Sequence, residues 1–246
     1  AGTFAVSGAY ANETGDLELA LSLTEAADGI AARLMSLPGT PSLEFSIAGV
    51  GTLSNFPATL ELSTDGQQRM VGSISLTEAQ DTSRRIEMDV SGDITPLILP
   101  QYRDFFGPDV VLTFSGAQSA TGQFAIESLL VKAASLTLSG QLLLDQNRVP
   151  ASFLLDGSIQ DPTRSSAPVV LPFGDTPITV KRVDLEIAYD RASGDEWRGD
   201  FTISDLLSSE LRVEQSVLSV AGSFEDLLNP AAGLQAIIQG QITGLE

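Results

Sequence analysis

Cysteine and histidine are both absent from the 246 residues, and each absence removes chemistry. Without cysteine there are no disulfide staples, thiolate metal sites or thiol nucleophiles. Without histidine the commonest general base and metal ligand are missing, and a Ser-His-Asp triad cannot be assembled. Positive charge is scarce: 13 basic residues stand against 32 acidic ones, a formal charge of -19. A surface of that sign repels phosphate, and the nearest approach to a basic cluster is Arg84-Arg85. Nucleic-acid binding and electrostatic docking on an anionic bilayer are therefore disfavoured. Hydrophobic residues make up 43% of the chain, yet no apolar run approaches the roughly 18 residues that span a membrane. Nucleophile elbows and phosphate loops are missing. Gly49-Val50-Gly51 lacks the third glycine of a dinucleotide fingerprint, and Asp190 to Asp195 lacks the spaced oxygen ligands of a calcium loop. No catalytic residue, cofactor or metal is expected. The chain starts at Ala1 rather than Met and carries no recognisable signal peptide, which reads as a processed product or an excised piece.

What is present is alternation. In 43–76, Leu43, Phe45 and Ile47 alternate with Glu44, Ser46 and Ala48, then Leu60 and Leu62 with Thr59, Glu61 and Ser63; Asp65-Gly66 turns the chain into Ile74 and Leu76. Period two with a turn dipeptide between runs predicts antiparallel strands with one apolar face. The same pattern places Phe4 and Val6, then Leu17, Leu19, Leu21 and Leu23, on a first hairpin, and Ile86, Met88 and Val90 on a later strand. Further strands are expected at 110–114, 123–131, 136–144, 151–157, 183–189 and 197–204, two short ones around Leu211, Val213, Val217 and Val220, and a last one at 235–245. That makes roughly fourteen to sixteen strands, in a length that fits either one large β-domain or two ordinary domains.

The interruptions are few. Asp28 is expected to cap a short helix with Ile30 and Leu34 on one side, plugging an end of the sheet or packed against its apolar face and stopped at Pro38-Gly39. Segment 93–107 holds Pro96, Pro100, Tyr102, Phe105 and Phe106 and reads as a short helical cap over an open apolar edge or, on the rival reading, a partner-binding knob. The proline-rich 162–177 reads as a loop or edge segment, and 225–234 as a helix broken at Pro230.

The acidic residues Glu18, Glu44, Glu61, Glu87, Asp184 and Glu186 fall opposite the apolar set, as a solvated face requires. The apolar set itself poses the functional question. If the sheet curls into a trough, Leu19, Leu21, Leu43, Phe45, Ile47, Leu60, Leu62, Ile86 and Met88, followed by Leu136, Leu138, Leu142, Leu144, Val183, Leu185, Ile187, Phe201 and Ile203, line an open groove suited to phospholipid acyl chains or to a β-strand client. If two sheets close on each other, the same residues are an ordinary core, as in a β-rich surface or adhesion module. A carbohydrate-active enzyme would instead need two facing carboxylates across a cleft.

The segments Leu-Pro-Gly-Thr-Pro-Ser-Leu at 37–43, Gly-Val-Gly-Thr-Leu-Ser-Asn-Phe-Pro-Ala-Thr-Leu-Glu-Leu-Ser-Thr-Asp-Gly at 49–66 and Gly-Asp-Ile-Thr-Pro-Leu-Ile-Leu-Pro-Gln-Tyr-Arg-Asp-Phe-Phe-Gly at 92–107 resemble an internal portion of the TamB family of AsmA-like bridge proteins, the translocation and assembly module subunits of Gram-negative bacteria. The resemblance implies an all-β, elongated, curled, antiparallel-rich sheet of the β-taco type with a few short capping helices, spanning 1–246 as a single groove segment. It further implies a periplasmic location within a longer protein anchored in the inner membrane. The implied roles are phospholipid transport to the outer membrane and outer-membrane protein assembly, with an Omp85-type barrel partner engaged through other parts of the parent. The family lends no catalytic residues.

Overall fold

The computed structural model describes residues 2–164, 166–173, 176–223 and 236–245. Strands dominate, and every recorded strand pair is antiparallel, so the all-β, antiparallel reading of the sequence holds. Two compact units divide the chain, 1–120 and 121–246.

In the first unit, β1 (Gly2–Ala11), β2 (Asp16–Glu25), β3 (Leu43–Thr52), β4 (Asn55–Thr64), β5 (Gln67–Glu78), β6 (Arg84–Gly92) and β7 (Val110–Gln118) form a meander in which each strand pairs with the next in sequence. Turn chemistry sets the register. Asp65 and Gly66 take φ of 51° and 69°, the two-residue hairpin geometry with both centres left-handed, which Asp-Gly favours. A bulge between Leu62 and Ser63 interrupts the β4–β5 ladder next to that turn.

Longer connections gather where β2 and β6 end. The first, 26–42, carries the helix α1 (Ile30–Leu34). Contrary to the sequence reading, Asp28 does not cap it: Asp28 is left-handed at φ 62°, and its carboxylate accepts from the Thr40 hydroxyl at 2.6 Å. The cap is Glu25, whose carboxylate accepts the backbone N–H groups of Ile30, Ala31 and Ala32. Nor do Ile30 and Leu34 pack inward; they are 81% and 83% exposed, while Ala32 is fully buried. Residues two apart lie about 200° apart around a helix, so an inward Ala32 turns Ile30 and Leu34 outward. The second connection contains single 3-10 turns at Thr95–Leu97 and Pro100–Tyr102, each with proline in its opening turn, followed by α2 (Arg103–Phe106). Phe105 is buried and meets Phe106 edge-on at 5.1 Å. Asp93 ties this connection to β5 through its N–H to the Arg69 carbonyl.

The second unit comprises β8 (Phe124–Lys132), β9 (Leu136–Leu144), β10 (Pro150–Gln160), β11 (Val169–Val170), β12 (Thr179–Val180), β13 (Arg182–Asp190), β14 (Glu196–Leu207), β15 (Arg212–Ser223) and β16 (Ala236–Leu245). The pairing order is β8-β9-β10-β13-β14-β15-β16, with β12 pairing β14 beyond the start of β13 and β11 pairing β12. The proline-rich stretch thus contributes a short edge strand and loops. Where the sequence suggested two short strands around Leu211 to Val220, β15 is one strand of 12 residues. The polar Glu214-Gln215-Ser216 reads as a break, but it holds neither glycine nor proline, and Ser216 is a buried ladder residue opposite Ile203. The helix expected at 225–234 lies outside the described residues. Among the described residues no helix is long and apolar enough to cross a membrane.

Candidate functional site

Directly paired residues of an antiparallel ladder point to the same side, so register alone decides which side chains share a face. In the first unit one row runs Leu21, Ile47, Leu60, Gly72, Val90, Leu112, from β2 to β7. Two residues along, the next row runs Leu19, Gly49, Ala58, Ile74, Met88, Phe114. On the other side of the first row come Leu23, Phe45, Leu62 and Met70, and Ile86 joins through Leu76 to Phe56. All nine trough residues named from this half of the sequence therefore share one face. β1 extends it with Phe4 opposite Leu23 and Val6 opposite Leu21. The reverse face carries Glu18, Glu44, Glu61 and Glu87, all exposed.

The second unit repeats the arrangement. Its rows run Leu142, Phe153, Tyr189, Trp197, Gly222; then Gly140, Leu155, Ile187, Gly199, Val220, Ile238; then Leu138, Gly157, Leu185, Phe201, Leu218, Gly240; then Leu136, Ile159, Val183, Ile203, Ser216, Ile242. Leu144 lies on the same side opposite Phe124. On the reverse face Asp156, Glu186 and Asp200 stand directly opposite one another on β10, β13 and β14.

These faces are incompletely covered. Phe4 and Val6 are 65% and 59% exposed and Ile238 is 67% exposed, while most of the remaining large side chains are half-buried. Leu43 and Val183 are the exceptions among the named residues: both are buried and support the face without presenting surface. Phe4, Val6, Ile74, Leu112, Phe114, Leu155 and Val220 belong to the faces as well. Their membership follows from strand register, which alternation within one run does not fix.

Glycine marks these faces too. Gly8, Gly49, Gly51, Gly72, Gly116, Gly140, Gly157, Gly199, Gly222 and Gly240 all fall on the apolar side. Large neighbours lean over several of them. A Cβ added at Gly157 would sit 2.9 Å from Leu138 Cδ1 and 3.1 Å from Leu185 Cγ, and one at Gly49 would sit 2.6 Å from the Phe56 ring.

The aromatic row sits at one rim of the second face, next to the turns 145–149 and 191–195. Phe153 and Tyr189 stack with centroids 5.6 Å apart, and Tyr189 and Trp197 form a buried pair against which Phe153, Ile187 and Val220 pack. The Trp197 indole N–H is enclosed without a hydrogen-bond partner, which costs about 1–3 kcal/mol for an unsatisfied buried donor. Beyond the row, Arg191 pairs with Asp145 at 2.8 Å. That guanidinium, followed by the Val149 N–H, holds the Asp145 carboxyl below its ordinary range.

Clefts of about 670 Å³ and 460 Å³ open on the reverse, polar face of the second unit, the first around Glu196, Arg198, Asp200 and Ser219, the second around Asp156, Asp184, Glu186 and Asp200. Their carboxylates make them hostile to an acyl chain. Among the described residues no group of three or more Asp or Glu is placed to hold a metal ion. No protein-family model, curated protein or solved structure matches the chain.

Proposed function

We propose that this chain is a groove segment of an envelope-spanning bridge protein, whose apolar faces shield phospholipid acyl chains in transit through the periplasm to the outer membrane. The observation that carries the proposal is the pair of ladder-wide apolar faces left with large side chains in solvent. A diacyl lipid hides roughly 30 methylenes, and at about 0.8 kcal/mol each their exposure costs on the order of 25 kcal/mol. A continuous apolar track removes most of that barrier without binding any one lipid tightly. Glycine beneath leaning leucine and phenylalanine side chains supports the reading, since alternating small and large residues suit the inner side of a curling sheet. The acidic reverse face keeps the protein in water and gives anionic headgroups no site. Such a carrier needs no catalytic residue.

The resemblance of 37–43, 49–66 and 92–107 to the TamB family implies the compartment and the wider role: a parent anchored in the inner membrane, outer-membrane protein assembly, and an Omp85-type barrel met by other parts of the parent. A closed-core surface module would instead seal each unit's apolar face beneath a second layer.

Leu185→Asp and Phe45→Asp test the proposal. Each puts a charge on a half-buried apolar row. Transfer of a fluorescent phospholipid between vesicles should fall at least tenfold while thermal unfolding shifts by only a few degrees. Loss of folding in step with transfer would identify a sealed core instead.

A further inference from the structure

We propose that the aromatic row Phe153, Tyr189, Trp197 receives the ester end of a bound glycerolipid, with the acyl chain running inward along the strands. This rests on the acyl-chain reading above and adds an orientation to it. Three observations point the same way. First, the face has an internal polarity. From Trp197 inward through Gly199 and Phe201 to Ile203 on β14, and through the matching rows of β10 and β13, it offers only apolar side chains and glycine. The Trp197 N–H at the rim is a donor with no acceptor. Second, the dimensions fit. Six residues of strand span about 20 Å, enough for the acyl layer of one leaflet, about 15 Å as half of a roughly 30 Å hydrocarbon core. Third, the row lies where apolar surface meets water. Tyr189 and Trp197 are buried, and Asp145, followed by Tyr189, pushes Arg191 above its usual range. The turns just beyond carry Arg148, Arg191, Asp190 and Asp195, a mixed-charge, hydrated setting for a headgroup. Aromatic residues with a polar handle suit such boundaries because one end is apolar and the other wet. An ester carbonyl that reached the indole would displace the flanking Phe153 or Val220, both only half-buried, and give the N–H its acceptor.

Trp197 is the only tryptophan, so its fluorescence reports this one position. The probe is phosphatidylcholine brominated either near its ester end or near its methyl end, presented to the full chain, with binding followed separately by native mass spectrometry. Near-ester bromine should quench Trp197 at least twofold more than near-methyl bromine. Equal or reversed quenching with lipid bound overturns the orientation while leaving the acyl-chain reading intact. Failure of either lipid to bind overturns both. Trp197→Phe keeps an aromatic ring and removes the donor. It should weaken diester phosphatidylcholine about fivefold, the order expected for one lost hydrogen bond, and leave the diether analogue, which has no carbonyl, unchanged. Equal weakening of both would mean that the indole serves packing only, and the proposal would fall.

Discussion

Glu25 is a buried carboxylate with three backbone N–H groups of α1 as its partners, so one side chain closes a strand and starts a helix. Glu25→Ala leaves those donors unpaired and should cost about 1–2 kcal/mol, read as a lower melting temperature and faster amide exchange across 26–42. Gly29→Ala should do the same, because its Cβ would fall 1.9 Å from Glu25 Cδ. Neither was legible in the sequence, since the donors lie five to seven residues beyond the acceptor; the nearer Asp28 looked the better cap. Aspartates that cap their own turns are easier to read. Asp161 accepts from the Arg164 N–H and from the Thr163 hydroxyl and N–H, and these bonds, led by Arg164, lower its pKa from 3.8 to about 2. A carboxyl depressed on folding stabilises above its unfolded pKa and loses that contribution as pH falls to the folded one. Asp161→Asn should therefore melt below the wild type at neutral pH, and the gap should close as pH drops from 3.8 to about 2. A gap that persists below that range would assign the effect to geometry rather than charge.

At the scale of strands, alternation and turn dipeptides sufficed to place most elements, because both are local: Asp65-Gly66 turns as expected, and β9 occupies 136–144 as read. Cross-strand partners such as Leu112 beside Val90 and Phe114 beside Met88 were out of reach, since pairing depends on register and on bulges such as the one between Ile126 and Leu129. So was the role of the strand glycines. Gly157→Val should cost about 1–3 kcal/mol by overpacking against Leu138 and Leu185, whereas Ser73→Val on the exposed reverse face should stay within about 0.5 kcal/mol; chemical denaturation of both variants decides it. The row Asp156, Glu186, Asp200 sets like charges opposite each other, a destabilising arrangement worth some tenths of a kcal/mol. Glu186→Gln should raise the melting temperature in low salt, with the gain shrinking as ionic strength screens the repulsion. A gain independent of salt would point to packing.

For the whole molecule, composition bounds the chemistry: with no thiol, no imidazole and a charge of -19, thiol and Ser-His-Asp mechanisms have no residues to run on. It could not say whether the 43% hydrophobic content was spent on a sealed interior or on exposed surface, because both give the same strands with the same period. The distinction lies in how far the two ladder-wide apolar faces, with Leu21, Ile47 and Leu60 half-buried on one and Leu155, Ile187 and Phe201 half-buried on the other, stay open to a guest. If those faces carry acyl chains, the protein holds lipid when it leaves the cell. Native mass spectrometry after gentle purification, repeated along a stepwise delipidation series, reads this directly. Phospholipid adducts that strip off progressively while the fold persists are the predicted result; a protein free of lipid from the first step onward would contradict the account.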